Sequence, residues 1–190
     1  MTLTKPQQDR HERMLNVTAR LASEGGYDAV QMRAVAVEAD VALGTLYRYF
    51  PSKEFLLVSV MLSDIEGLAD RLAVRPPEGE DPVGRVIDVL RRANSALQRQ
   101  QQFTVAVVRA LAAGDETVAP VVREVRDLMA GIILAAIDTD EPTEKEQLVT
   151  EILQEVWLSS LVAWISGVEP TTSVNRKLEA ATRLLLDGQP

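Results

Sequence analysis

The sequence predicts an all-α protein, and three observations carry that prediction. Apolar residues recur with a period near 3.6 throughout the chain, the spacing of a helix that buries one face. No convincing run alternates apolar and polar residues as a half-buried strand would. Glycine and proline gather at a few places, chiefly Gly25-Gly26, the RPPEGEDPVG stretch at 75–84, Gly114-Asp115 and Gly167 to Pro170, where they end one helix before the next begins.

The elements follow in order. A first helix is expected over 7–23, with Leu15, Ala19 and Ala22 on one face and Gly25-Gly26 as its stop. A short second helix covers 32–39 and is weakly capped by Gln31. Asp40 takes the turn, because aspartate tolerates the left-handed conformation, and 42–49 form a third short helix. Pro51 keeps that helix from continuing, and Ser52 caps a fourth that runs to about Val74. Beyond the Pro/Gly-rich acidic linker, helices are expected over 83–99, 102–113, 117–138, 143–167 and 172–186.

A chain of 190 residues buries roughly 70% of its unfolded surface, enough for a core without staples. The absence of cysteine excludes disulfides, thiolate nucleophiles and Cys-based metal sites. The first residues, MTLTKPQQDRHERML, lack the apolar segment of a signal peptide, and the run GIILAAI falls far short of the roughly 18 residues that span a bilayer. A soluble, cytoplasmic protein with no membrane partner is expected. Net charge is −8, yet residues 1–55 balance seven Lys/Arg against seven Asp/Glu. Any contact with nucleic acid therefore belongs to that neutral N-terminal quarter, since the acidic remainder repels polyanions.

Two short helices joined by a tight turn over 31–49 suit a helix-turn-helix, whose second helix meets the DNA major groove. Val35, Ala36, Val41 and Leu46 supply its packed side. The outer side carries Leu43, Gly44, Thr45, Tyr47 and Arg48, with Tyr49 beside them and its hydroxyl available to a phosphate. Gly44 permits close backbone approach, and Lys53 in the next first turn can hold a phosphate together with free backbone N–H groups. Phe50 is expected to pack inward.

GTLYRYFPSKEFLL, with GGYDAVQMRAVAVEADV before it, resembles the DNA-binding domain of the TetR family of transcriptional regulators, over about residues 9–57 without a gap. The resemblance implies a homodimer in which Arg33, Thr45, Tyr47, Tyr49 and Lys53 contact double-stranded DNA at an inverted repeat. It also implies two domains: a three-helix DNA-binding domain over 1–55, and a helical ligand-binding and dimerisation domain over 56–190. Leu43 stands where a polar or basic residue is common in the family, and Asp40 where glycine is usual. GGYDAVQMRAVA, VALGTLYRYFPSK and VWLSSLVAWI resemble one branch of the family, repressors of sterol catabolism in actinobacteria. That branch implies an apolar or acyl-CoA-type inducer, a CoA thioester of a cholesterol-derived acid.

In the body, LVTEILQEVWLSSLVAWI at 148–165 is apolar nearly all round after Glu155, so it is expected to be buried on two sides. Trp157, Leu161 and Trp164 are assigned to its own bundle. Leu153, Val156, Ser160 and Ala163, with Val174, Leu178, Ala181 and Leu185 of the last helix, are assigned to a four-helix interface with a second subunit. Met61, Ile65, Leu68, Leu90, Phe103, Met129, Ile133 and Trp157 are candidate lining for an apolar ligand. Asn94, Gln98 and Arg109 are the polar groups on otherwise apolar faces; Arg109 either neutralises a ligand anion or pairs with an acid on the chain.

Catalysis is disfavoured. His11, the single histidine, sits in QDRHER and is read as a solvated helix-end residue, which leaves neither a Ser-His-Asp arrangement nor a pair of Glu-x-x-His motifs. No Gly-rich phosphate loop is present, and no cofactor, metal or catalytic residue is expected. Three alternatives remain: regulation of efflux or another pathway through a different apolar ligand, an apolar-ligand-binding bundle that docks protein instead of DNA, and a small all-α enzyme of unfamiliar chemistry.

Overall fold

The structure is a computed structural model that describes residues 4–139 and 141–187. Among these residues it contains nine α-helices and no strand: α1 (Lys5–Ala29), α2 (Met32–Glu38), α3 (Leu43–Tyr49), α4 (Lys53–Val74), α5 (Pro82–Arg99), α6 (Gln101–Ala113), α7 (Ala119–Ile137), α8 (Glu144–Ile165) and α9 (Thr172–Leu186). Asp140, within the expected break at 138–142, lies outside the described residues, as do residues 1–3 and 188–190 at the ends of the expected domains.

Local chemistry accounts for most boundaries. Thr4 precedes α1 with its backbone N–H donated to the Gln7 side chain at 2.8 Å, and Thr143 and Glu146 cap each other reciprocally at the start of α8. Asp40 has φ 53°. It follows the last turn of α2 in the left-handed position that lets Val41 N–H reach Ala36 O at 3.0 Å and its own N–H reach Val37 O at 3.2 Å, so the loose carbonyls of α2 are satisfied. The Gly25-Gly26 stop is corrected. Gly26 does leave the helix, at φ 67°, but the chain resumes helical geometry and α1 extends to Ala29 across a kink. A single glycine in the left-handed region bends the path, and the packing of the last turn brings it back.

The chain forms two compact units. The first joins the described residues up to Asp64 with Gln100–Glu124. Its most extensive helix pairing is α1 against α6. Met14, Ala22, Val30, Val35, Leu46, Leu56, Leu57 and Ala106 are fully buried there, with Phe50 and Phe103 close to it. Phe50 thus packs inward as expected.

The second unit holds Ile65–Arg99 and the residues from Val125 onward, with α9 packed on both α8 and α5. Its core includes Val86, Val89, Leu90, Met129, Ile133, Val149, Leu153, Trp157, Leu161, Val174 and Leu178. By length and composition alone, α8 is also long and apolar enough to cross a membrane. Its packing against α9 and its buried Leu153, Trp157 and Leu161 mark it instead as a core helix of this unit.

Candidate DNA-reading surface and ligand body

In the first unit, α3 turns Leu46 fully inward and Tyr47 outward, 47% exposed. Gly44 and Arg48 are exposed beside it, Leu43, Thr45 and Tyr49 are half-buried, and Arg33 is exposed in the first turn of α2. A Cβ built at Gly44 meets nothing within 4 Å, so this face is open to a close approach from outside. The C-terminal end of α3 rests on a ring cluster: His11 lies 5.1 Å from Phe50 and 5.9 Å from Tyr49. The solvated reading of His11 is corrected by this contact. The imidazole is half-buried, and burial pushes its pKa below the ordinary 6.5, so it packs as a neutral ring.

Lys53, the expected phosphate ligand, begins α4 and folds toward the end of α1. Its ammonium lies 3.6 Å from the centroid of the Tyr27 ring and donates to Tyr27 O at 3.3 Å. An ammonium has three donors, so the anchor fixes the direction of the side chain and leaves capacity for a further acceptor. The Tyr27 hydroxyl donates to Glu54 Oε1. Burial first, and then that hydrogen bond, raise the Tyr27 pKa to about 12, which keeps the phenol a donor at neutral pH. At Glu54 burial works upward, but the Tyr27 bond, the helix backbone and Lys53 outweigh it and hold the carboxyl below its ordinary 4.5. Sequence reasoning missed this cluster. The available signal was a tyrosine placed directly after a Gly-Gly pair in a chain with 4% aromatics.

Of the polar ligand candidates, Arg109 does the second of the two things expected of it. Its guanidinium pairs with Asp28 at 3.1 Å and stands 4.3 Å from the Tyr27 centroid. Asn94 and Gln98 are also engaged within the protein. Asn94 is fully buried, accepts from Trp157 Nε1 at 3.3 Å and donates to Asn175 Oδ1 at 2.7 Å, while Gln98 donates to Thr171 O at 3.1 Å. These bonds tie α5 to α8, to α9 and to the turn before α9. Met61, Phe103 and Arg109 belong to the first unit; Ile65, Leu68, Leu90, Asn94, Gln98, Met129, Ile133 and Trp157 belong to the second. Of these, Leu90 borders a cleft between α5 and α9.

The assignment of faces on α8 and α9 is also corrected. Leu153, Ser160, Val174 and Leu178, expected at a subunit interface, are at most 2% exposed within the single chain. They share the inward side with Trp157 and Leu161, because positions three, four and seven apart fall on one helix face. Val156, Ala163, Ala181 and Leu185 are half-buried. The large apolar side chains that these helices leave exposed are Leu148, Leu158 and Val162 on α8 and Leu184 on α9.

Comparison with known proteins agrees with this arrangement. Residues 14–60 match the bacterial regulatory proteins of the tetR family, and residues 79–185 match the tetracyclin repressor-like C-terminal domain. The chain is 44% identical over 183 residues to the HTH-type transcriptional repressor KstR of Rhodococcus jostii, covering 96% of this chain and 85% of that protein. A TetR transcriptional regulator from Rhodococcus sp. RHA1 superposes with a TM-score of 0.90 at 31% identity, over 98% of this chain and all of that one. Thermus thermophilus FadR, a TetR-family repressor solved with lauroyl-CoA, shares the fold at a TM-score of 0.72 and 22% identity, over 95% of each chain.

Proposed function

This chain belongs to the TetR family of bacterial transcriptional regulators, and we propose that it represses genes of lipid or sterol catabolism from an inverted-repeat operator and is released by an apolar or acyl-CoA-type inducer. It is a regulator and not an enzyme, as its repressor relatives are. The observation that carries the reading is the open outer face of α3, where Gly44, Thr45, Tyr47 and Arg48 stand outward while Leu46 and Phe50 anchor the helix from beneath.

In this reading residues 1–55 form the DNA-binding domain, and 56–190 the ligand-binding and dimerisation domain. Thr45 and Tyr47 meet base edges, while Arg33, Arg48, Tyr49 and Lys53 position the head on phosphates. Two heads of a homodimer enter successive major grooves about 34–36 Å apart, or near a multiple of that distance. The exposed Leu148, Leu158, Val162 and Leu184 supply the apolar part of the dimer contact, with half-buried Val156, Ala163, Ala181 and Leu185 beside them. A repressor of this kind works in the cytoplasm, where the chromosome is.

Induction requires the ligand to bind the DNA-incompetent form more tightly than the competent one; equal affinity for both would release nothing. The connecting element is α4, which runs without a break from Lys53 to Val74 and so crosses the proposed domain boundary. The repressor reading is supported by the KstR relatives, which resemble this chain over nearly its whole length, and the acyl-CoA class by a FadR of the same fold that was solved with lauroyl-CoA. A gel shift with the DNA upstream of the chain's own gene, with and without lauroyl-CoA, tests the reading. Binding that the thioester abolishes supports it, and no retarded species at low salt overturns it.

A further inference from the structure

Arg109 of α6 lies outside the residues assigned to DNA, yet it reaches the same ring as Lys53. Its helix is fixed from beneath. Phe103, Ala106, Val107 and Ala110, each at most 2% exposed, fall three, four and seven positions along and so share one inward face. The pairing of α6 with α1 is the most extensive in the first unit, and Ser23 Oγ donates to Gln100 Oε1 at 3.1 Å just before α6 begins. On the open side of α6 the Arg109 guanidinium stands 4.3 Å from the Tyr27 centroid and pairs at 3.1 Å with Asp28, the residue after Tyr27. The Tyr27 hydroxyl donates to Glu54, so the ring is held at its tip by α4 and over its face by α6. Lys53 rests on this ring at 3.6 Å and donates to the Tyr27 carbonyl at 3.3 Å. All five residues belong to one compact unit.

We propose that Arg109 is a positioning residue for the operator contact of Lys53, acting through the Tyr27 ring without touching DNA, so that the seat of α6 on α1 sets operator affinity. The inference rests on the DNA-binding reading above, in which Lys53 meets a phosphate. A free lysine loses rotamer freedom when a phosphate fixes it, and one already steered by a carbonyl and a ring loses less. Steering of that kind needs a ring that stays in place, and Arg109 is what covers it from α6. Arg109 is poorly suited to hold a phosphate itself, because the Asp28 carboxylate beside it is 80% exposed and repels an approaching anion. Lys53 has no such neighbour at its ring contact and keeps a donor to spare. A shift of α6 along α1 carries Arg109 off the ring and loosens Lys53, although neither α6 nor Arg109 meets the duplex.

The test is a double-mutant cycle on the full chain. Affinity for a labelled duplex from upstream of its own gene is measured by fluorescence anisotropy at several salt concentrations, for wild type, Arg109→Gln, Lys53→Ala, Tyr27→Ala and the two doubles that combine R109Q with K53A or Y27A. Because Arg109 is more than half exposed and other residues hold its helix, R109Q is expected to keep the wild-type thermal midpoint. It is expected to weaken binding about two- to fivefold, the worth of one cation–ring contact at a half-exposed site, and to cause no further loss in the K53A or Y27A background. A loss that persists undiminished in both backgrounds overturns the proposal, because Arg109 then acts by its own charge; a salt slope lowered by about 1 in K53A would identify that action as a direct phosphate contact. Wild-type affinity in R109Q, beside a K53A that binds weakly, overturns the positioning role alone. A K53A without effect overturns the phosphate contact of Lys53 and the proposal with it, and a wild-type chain that binds no duplex at low salt overturns the DNA-binding reading itself.

Discussion

The ammonium of Lys53 lies 3.6 Å from the centroid of the Tyr27 ring. Arg109 from α6 shares that ring at 4.3 Å, so one aromatic side chain near the end of α1 ties the first turn of α4 to α6 within the first unit. Each cation contact contributes on the order of 0.5–1 kcal/mol at a half-exposed site. The Arg109–Asp28 pair adds little, because both partners are more than half exposed.

The ring and not the hydroxyl is therefore what positions Lys53. Tyr27→Ala removes the platform and is expected to lower operator affinity several-fold, whereas Tyr27→Phe keeps both cations in place and is expected to bind DNA as the wild type does. Fluorescence anisotropy on a labelled operator compares the two.

The hydroxyl acts on acid stability instead. Glu54 titrates below its ordinary 4.5 in the folded chain, so the stability it contributes is complete above about pH 4.5 and is lost as pH falls through its folded pKa. Tyr27→Phe deletes the principal group that lowers this pKa, leaving the carboxyl closer to its unfolded value. The difference in urea midpoint between wild type and Y27F should be largest above pH 5 and shrink toward pH 3. A difference that grows as pH falls would contradict the assignment.

Contacts to phosphate and contacts to bases separate by their salt and sequence dependence. Lys53→Ala is expected to weaken binding to every duplex and reduce the slope of log affinity against log salt by about 1. Thr45→Ala and Tyr47→Phe are expected to leave that slope nearly unchanged while narrowing the gap between operator and unrelated DNA. Titrations at four salt concentrations on both duplexes distinguish the classes.

Leu158 and Val162 are each 43% exposed in the single chain, so charge at either position disturbs a second subunit far more than the fold. Leu158→Glu with Val162→Glu is expected to give a helical monomer that no longer binds the operator, whereas Leu153→Glu, at a fully buried position, is expected to unfold. Sedimentation velocity and circular dichroism on the two variants decide between these outcomes.

Much of the fold was legible because helix periodicity and helix punctuation are local. Asp40 illustrates it: a turn between two short helices needs a left-handed residue, aspartate tolerates one, and φ is 53°. Gly26 shows the limit, since a glycine states that the chain can turn, and only packing decides whether the helix resumes. The faces of α8 were misassigned for a related reason. When apolar residues surround a helix, periodicity cannot say which of them meet the same chain, and Leu153 and Ser160 went inward while Leu158 and Val162 stayed out. The polar groups were hardest. Asn94, Gln98 and Arg109 stood out as polar residues on apolar faces, but their partners Asn175, Thr171 and Asp28 lie more than seventy residues away in sequence, and no local pattern joins them.

The central claim is that two α3 surfaces read DNA at a fixed separation, and the most direct measurement is the affinity of the purified protein for an operator whose half-sites are moved apart. Inserting about 5 bp turns the second half-site to the opposite side of the duplex, and inserting about 10 bp turns it back. The account predicts that both insertions lower affinity at least tenfold, since the shorter turns the second half-site away and the longer carries it about 34 Å beyond a head held at fixed separation. Equal affinity for all three spacings would contradict it.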